Sequence, residues 1–340
     1  MWKYLLYGVI IAVHLAIVSL FFMGDTLNRP DKKKPDDAAA NETIVPEAKN
    51  ADSTQKGGAL NYLPAYSVNY YQLQESALPA ELNRLISNCT AAAVLDPDQK
   101  IMLWGKNINQ PCPLASLSKM MTVLLLMEEI HQGDKTISLE STVKVTKEAT
   151  KIRTRQVWLD PRETFSVDEL LKCALIRSAN DCTFLLAEFL GGGDHSLFVK
   201  RMNARAKQLG CQNFKFYNSH GLPETPEGQE NQGIVLELAY LAEQLWQYPE
   251  VMKWTATRQE FIRESTKRPF QLDNTNSLLR SCPGVNGMKT GMTNKAGYCI
   301  VVTCEREQKR RIAVVMGVPG KGGDKIRDEI ARRLLEWSYQ

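Results

Sequence analysis

Ser116 and Lys119 stand three residues apart in the stretch Pro111–Ile130, PCPLASLSKMMTVLLLMEEI. If a helix begins there, positions i and i+3 share a face and the hydroxyl can meet the amine. The N–H groups of a first helical turn lack partners inside the helix, and the macrodipole at that end favours negative charge. A serine so placed has a base beside it and donors near any oxyanion it creates, which is what nucleophilic acyl chemistry needs. The spacing alone is cheap, since Ser-x-x-Lys recurs at Ser53–Lys56 in a polar tract and at Ser141–Lys144 in a β-branched segment. A capping serine and a solvated lysine would account for a lone match. Only the copy at Ser116 leads into an apolar helical run.

Two further motifs give that copy its meaning. Ser178-Ala179-Asn180 falls in a break between two helical patterns, and Lys289-Thr290-Gly291 lies in GVNGMKTGMTNKAGY, just before a β-rich end. Singly, the first reads as a helix cap and the second as a surface turn. In this order and context the three form the set found in class A β-lactamases and penicillin-binding proteins. With LASLSKMMT, DELLKCALIRSAND, NSHGLP, NTNSLL followed by PGVNGMKTG, and AGYC, the chain from about Ala92 to Trp337 resembles the serine D-alanyl-D-alanine carboxypeptidases, low-molecular-mass penicillin-binding proteins.

The resemblance implies an α/β fold of the transpeptidase/β-lactamase type and attack on the terminal D-Ala-D-Ala amide of peptidoglycan stem peptides, with β-lactams as inhibitors. It implies that Ser116 forms an acyl-enzyme and that Lys119 is the base, which requires its pKa to fall from about 10.4 toward about 7–8. Burial and the cation of Lys289 push in that direction. Ser178 would relay the proton to the leaving nitrogen, and Asn180 would hold the substrate amide. Lys289 and Thr290 would take the terminal carboxylate, Gly291 would let the substrate backbone lie close, and the N–H groups of Ser116 and Met292 would form the oxyanion hole. Arg327, in GKGGDKIRDE, matches a family position that binds the substrate carboxylate; as a plain helix residue it would sit on the surface. No metal or organic cofactor is implied.

The elements that must position these residues follow from periodicity. Thr90–Leu95 and Ile101–Trp104 are apolar runs joined by Asp96-Pro97-Asp98-Gln99, a hairpin signal. The Ser116 helix stops at Gly133. Ser141–Val145 and Val157–Leu159 read as short strands, and Ser166-Val-Asp-Glu169 is a capping box opening a helix to Ile176. Further helices are expected over Asp181–Leu190, Ser196–Leu209 and Ile234–Gln247, the last closed by Tyr248-Pro249. Tyr298–Cys304 and Arg311–Gly317 read as paired strands, and Lys325–Trp337 as a closing amphipathic helix. Strands at both ends with helices between predict an antiparallel sheet built from the two chain ends, flanked by helices and a helical subdomain.

The chain has 340 residues, 44% hydrophobic and 24% charged, with a net charge of +4. Its basic residues are interleaved with acids, which excludes a nucleic-acid stripe. Tyr4–Met23 is an apolar run long enough to span a bilayer at helical rise, with no good small-residue cleavage site after it. The expected organisation is an N-terminal anchor or signal over 1–23, a disordered tether over 24–77 and a D,D-peptidase domain over 78–340. The body would then lie in the cell envelope, at the outer (periplasmic) face of the cytoplasmic membrane. Eight cysteines would suit disulfides in an exported protein, though Cys173, Cys182 and Cys299 fall in apolar patterns that fit buried thiols. Trp104, Trp158, Trp254 and Trp337 read as packing residues. An endopeptidase or a class A β-lactamase would use the same motif set, but no Glu-x-x-Leu-Asn lies between Ser178 and Lys289 to supply a fast deacylation base. A wall-binding scaffold that kept the fold would not need every motif side chain.

Overall fold

The computed structural model describes residues 71–340 apart from 75, 134–135, 225–227, 265 and 267. The run Tyr4–Met23 and the expected tether as far as residue 70 lie outside the described residues. Among those described, no helix is long and apolar enough to cross a membrane.

In chain order, β1 (Gln72–Leu73) precedes α1 (Ala80–Ile86), β2 (Ala91–Asp96), β3 (Ile101–Lys106) and β4 (Cys112–Pro113). A 3-10 turn, Ala115–Ser118, runs straight into α2 (Lys119–Gln132). Then come β5 (Thr142–Lys144), β6 (Thr164–Ser166), α3 (Val167–Lys172), a π turn (Cys173–Arg177), α4 (Asn180–Leu190) and α5 (His195–Gln208). After β7 (Gln232–Gly233) follow α6 (Val235–Trp246), α7 (Pro249–Ala256), β8 (Gln259–Ile262), β9 (Phe270–Asp273) and α8 (Leu278–Ser281). Three long strands, β10 (Val285–Thr293), β11 (Gly297–Arg306) and β12 (Lys309–Val318), lead to α9 (Gly323–Ser338).

The main sheet has the order β1-β3-β2-β12-β11-β10. Its five longer strands are antiparallel, as expected from both chain ends, and β1 adds a parallel edge beside β3. That edge strand falls within the segment read as tether: Tyr71 is buried and its hydroxyl donates to Glu243, so the fold takes in residues ahead of 78. Successive strand residues point to opposite faces, and both faces here are covered. Ala93, Leu95, Val301, Ile312 and Val314 enter one apolar cluster, with α2 and α6. Ala92, Val94, Ile300, Val302 and Val315 enter another, with Leu82 and Ile86 of α1 and Ile330 and Leu334 of α9. Two-sided burial is why these strands read as unbroken apolar runs rather than alternating ones.

Several local expectations change. Val157–Leu159 is not a strand; β5 pairs with Thr164–Ser166 instead, because Asp181 takes the Val157 and Leu159 N–H groups that a ladder would need. Pro249 does more than close α6: it opens α7 at its first turn, where its missing N–H costs nothing. The capping box holds: Ser166 Oγ accepts from the Glu169 N–H and Glu169 accepts from the Ser166 N–H. The helix it opens, however, widens to a π turn at Cys173, a form met mostly where function distorts a helix. All eight cysteines are buried free thiols. Trp158 is 64% exposed rather than packed; its backbone has φ +55° and its ring makes a T-shaped contact with Phe270, centroids 5.6 Å apart.

The turn Asn218–Leu222 locks the start of α2. Asn218 Oδ1 accepts from the N–H groups of His220 (3.1 Å) and Gly221 (2.6 Å), and Thr122 of α2 donates to the Ser219 carbonyl at 2.8 Å. Gly221 has φ +87°, and a methyl group there would stand 1.8 Å from the Ala115 carbonyl oxygen. Gly221→Ala is therefore expected to lower stability by more than about 1 kcal/mol, since both backbone strain and a main-chain clash oppose it. Chemical denaturation of the variant checks this; an unchanged midpoint would mean that the turn is not wedged against Ala115.

Candidate active site

The serine at 116 sits on strained backbone. Ala115, immediately before it, has φ +47°, a conformation that non-glycine residues seldom adopt and that collects at functional sites. The 3-10 turn then brings Ser116, half-buried, over the first residue of α2. Lys119 is fully buried, and its Nζ lies 2.9 Å from Ser116 Oγ, 2.6 Å from Asn180 Oδ1 and 2.8 Å from the His220 carbonyl oxygen. Burial, then the charges of Lys289 and Arg155, hold its pKa well below the usual lysine value, against a weaker opposing pull from Asp181.

A neutral amine has two N–H bonds and one lone pair. Asn180 Oδ1 and the His220 carbonyl accept only, so they take both hydrogens. In the neutral form the lone pair would be left facing the Ser116 hydroxyl, 2.9 Å away. Asn180 is itself fixed, because its Nδ2 donates to the Thr154 carbonyl at 2.9 Å and its backbone N–H to the Arg155 carbonyl at 2.8 Å.

Ser178 ends the π turn in the left-handed region, φ +63° and ψ +33°, which swings its hydroxyl into the same cleft. Lys289 Nζ donates to Ser178 Oγ at 2.8 Å and to the Thr290 carbonyl at 2.9 Å. Lys289 is also buried, and its pKa falls to about 7 through burial and the charges of Arg155 and Arg327. The Lys-Thr-Gly motif does not precede a strand; it lies within β10, the edge strand of the sheet. Gly291 rests against the serine, where a methyl group would stand 3.2 Å from Ser116 N and 3.1 Å from the Leu114 carbonyl. The N–H of Met292 follows on the same strand, and its side chain is 50% exposed. Thr290 Oγ1 donates to Thr275 Oγ1 at 2.7 Å.

The three motifs thus meet: Ser116, Lys119 and Asn180 in one hydrogen-bonded group, Ser178, Lys289 and Thr290 in the next. Arg327 is buried near the start of α9, donates to Asp328 Oδ1 at 2.8 and 2.6 Å, and bears electrostatically on Lys289. Four contributors escaped the sequence reading: Thr154, Arg155, Thr275 and Asp181. Asp181 follows the Ser-Ala-Asn motif directly and is buried, and its carboxylate accepts from the N–H groups of Val157 and Leu159, tying down the 154–159 segment on which Asn180 depends. An acid in the first turn of a buried helix was the available signal. Ser219 and His220 form no relay: Ser219 is fully buried with its Oγ 3.0 Å from His195 Nε2, and the His220 ring nitrogen Nδ1 is taken by the Leu222 N–H. Among the described residues no group of three or more His, Cys, Asp or Glu converges on a point where a metal could sit.

A buried lysine whose folded pKa is depressed leaves a signature in stability. Below about pH 7 both native and unfolded chains keep the Lys289 proton and the burial penalty is complete. Between there and the unfolded value near about 10.4 the unfolded chain binds more protons, so stability rises with pH. The unfolding free energy of the native chain relative to Lys289→Met is expected to rise from about pH 7 to about pH 10. Parallel denaturation series at several pH values check it, and a flat difference would refute it.

Comparison with known proteins identifies the family. Residues 83–320 match the peptidase S11 family model, described as D-alanyl-D-alanine carboxypeptidase. The chain is 35% identical over 257 residues to D-alanyl-D-alanine carboxypeptidase DacF of Bacillus subtilis, a match covering 76% of this chain and 64% of that protein. It is 32% identical over 297 residues to DacC of Escherichia coli, covering 84% and 70%. Penicillin-binding protein D2 of Listeria monocytogenes, solved in its ampicillin-bound form, superposes with a TM-score of 0.64 at 29% identity over 74% of this chain and 98% of that one. With its three motifs converging on one cleft of this α/β scaffold, the chain belongs to the D-alanyl-D-alanine carboxypeptidase family of serine peptidases.

Proposed function

We propose that this chain is a serine D,D-carboxypeptidase that removes the terminal D-alanine from peptidoglycan stem pentapeptides through an acyl-enzyme on Ser116. The observation that carries this reading is the buried Lys119 Nζ, 2.9 Å from Ser116 Oγ and held between the acceptors Asn180 Oδ1 and the His220 carbonyl, so that the neutral amine would turn its lone pair to the serine. Ser116 attacks the penultimate carbonyl and its proton passes to Lys119. The negative oxygen that forms lies between the N–H groups of Ser116 and Met292, donors worth roughly 3 kcal/mol each. Ser178, bonded to Lys289, passes a proton to the leaving nitrogen, D-alanine departs, and water then hydrolyses the ester. Lys289, Thr290 and Arg327 receive the terminal carboxylate, and Asn180, once it turns from Lys119, the substrate amide.

Penicillins present a carboxylate and an acylating carbonyl in the same relation, so they acylate Ser116. The ampicillin-bound Listeria relative supports that extension. The substrate places the enzyme in the cell envelope, outside the cytoplasmic membrane, and the run Tyr4–Met23 is the segment that would anchor it there.

Incubation with a pentapeptide ending in D-Ala-D-Ala is expected to release D-alanine from the native chain and none from Ser116→Ala. Lys119→Ala should lower kcat/KM by about 10²-fold or more. Fluorescent penicillin should label the native chain stably. No D-alanine release, or rapid drug turnover instead of a lasting label, would overturn the reading. As pH rises through about 7, Lys289 loses the charge that holds the carboxylate. KM for the peptide is therefore expected to climb above that pH, and a pH-independent KM would remove Lys289 from that role.

A further inference from the structure

Beside the end of β10 lies a groove of about 800 Å³, of whose lining the reaction above uses Met292 alone. It opens between the β10–β11 turn, the Gln110–Pro113 approach to Ser116 and the Pro319–Lys321 turn. The order of groups along β10 decides which part of a substrate reaches it. Lys289 and Thr290 take the terminal carboxylate, and the Met292 N–H takes the carbonyl under attack. The rest of the peptide must continue past Met292 toward Thr293, running antiparallel to β10. The acyl side of the scissile bond therefore leads into the groove.

The groove's chemistry is one-sided. Pro111, Pro113, Ala296 and Tyr298 give it apolar walls, and its only charged lining residues are Lys295 and Lys321, both exposed. No Asp or Glu lines it. Its glycines are closely packed: a methyl at Gly297 would stand 2.7 Å from the Val318 carbonyl oxygen, and one at Gly317 2.2 Å from the side-chain Oγ1 of Thr90. The depression is thus preformed by glycines in the left-handed region rather than left by a loose loop. Two cations on a lining that itself holds no acid attract carboxylates, the nearby Glu230 being held by Thr293 Oγ1 at 2.7 Å.

The geometry points to this groove as the subsite for the acyl-side segment of the substrate, with Lys295 and Lys321 selecting peptides that carry carboxylates on that segment. This assignment rests on the carboxypeptidase reading, and its test separates the two. Two peptides ending in D-Ala-D-Ala are compared, one with two free carboxylates on its acyl-side residues and one with both amidated. Kd is measured on Ser116→Ala and kcat/KM on the active chain, each with and without Lys295→Glu plus Lys321→Glu. The acidic peptide is expected to bind at least tenfold more tightly than the amidated one, and the double substitution should abolish that preference. Binding of the amidated peptide and acylation by penicillin should change by less than twofold. Equal binding of the two peptides, or a preference that survives the double substitution, overturns the subsite. Absence of D-alanine release from both peptides overturns the carboxypeptidase reading instead, while the Kd comparison still judges the groove.

Discussion

Lys119 and Lys289 are two amines buried within one cleft, and the rest of the site is arranged around keeping them there. Water would hold each as a cation; the apolar packing of α2 and of the β10–β11 pair withdraws that solvation. The charge of Lys289 then opposes protonation of Lys119, and Arg155 acts on both amines in the same sense, with Arg327 adding to the effect on Lys289. The pKa of the amine at 119 is depressed first of all because it lies at the start of a helix that is buried nearly all round. The amine at 289, whose pKa stays near about 7, keeps enough cationic character to receive a carboxylate.

Holding the hydroxyls over these amines takes backbone that no helix or strand would adopt on its own. Ala115 and Ser178 both have positive φ, and the helix before Ser178 loosens into a π turn. Strain of this sort costs about 1–3 kcal/mol per residue and persists only where neighbours over-determine it. Here the neighbours are identifiable. Gly221 wedges against the Ala115 carbonyl, Asp181 ties down the 154–159 loop, and the Ala179 N–H donates to the Cys173 carbonyl at 2.9 Å.

The sheet edge supplies what the helices cannot. As the last strand of its sheet, β10 has one side paired to β11 and the other turned to the serine, so a substrate can lie along it as a further strand. Gly291 makes the approach possible, since any side chain there would stand against Ser116. The same open strand leads on to the groove at its far end.

Much of this was readable from residue types alone. The hairpin β2–β3, the helices over 119–132, 180–190, 195–208 and 235–246, the capping box at Ser166 and the three motifs all rest on local chemistry: apolar period, caps, turn residues and short spacing. Ser116 and Lys119 meet because three residues along a helical path bring them together. What lay beyond the sequence is non-local. That Val157–Leu159 forgoes a strand and that Lys-Thr-Gly is inside an edge strand were settled by partners far along the chain. The depressed pKa of Lys119 was settled the same way, by burial and by the charge of Lys289, 170 residues away. Local patterns specify which groups are present; only packing sets how much water each keeps, and solvation is what turns a lysine into a base.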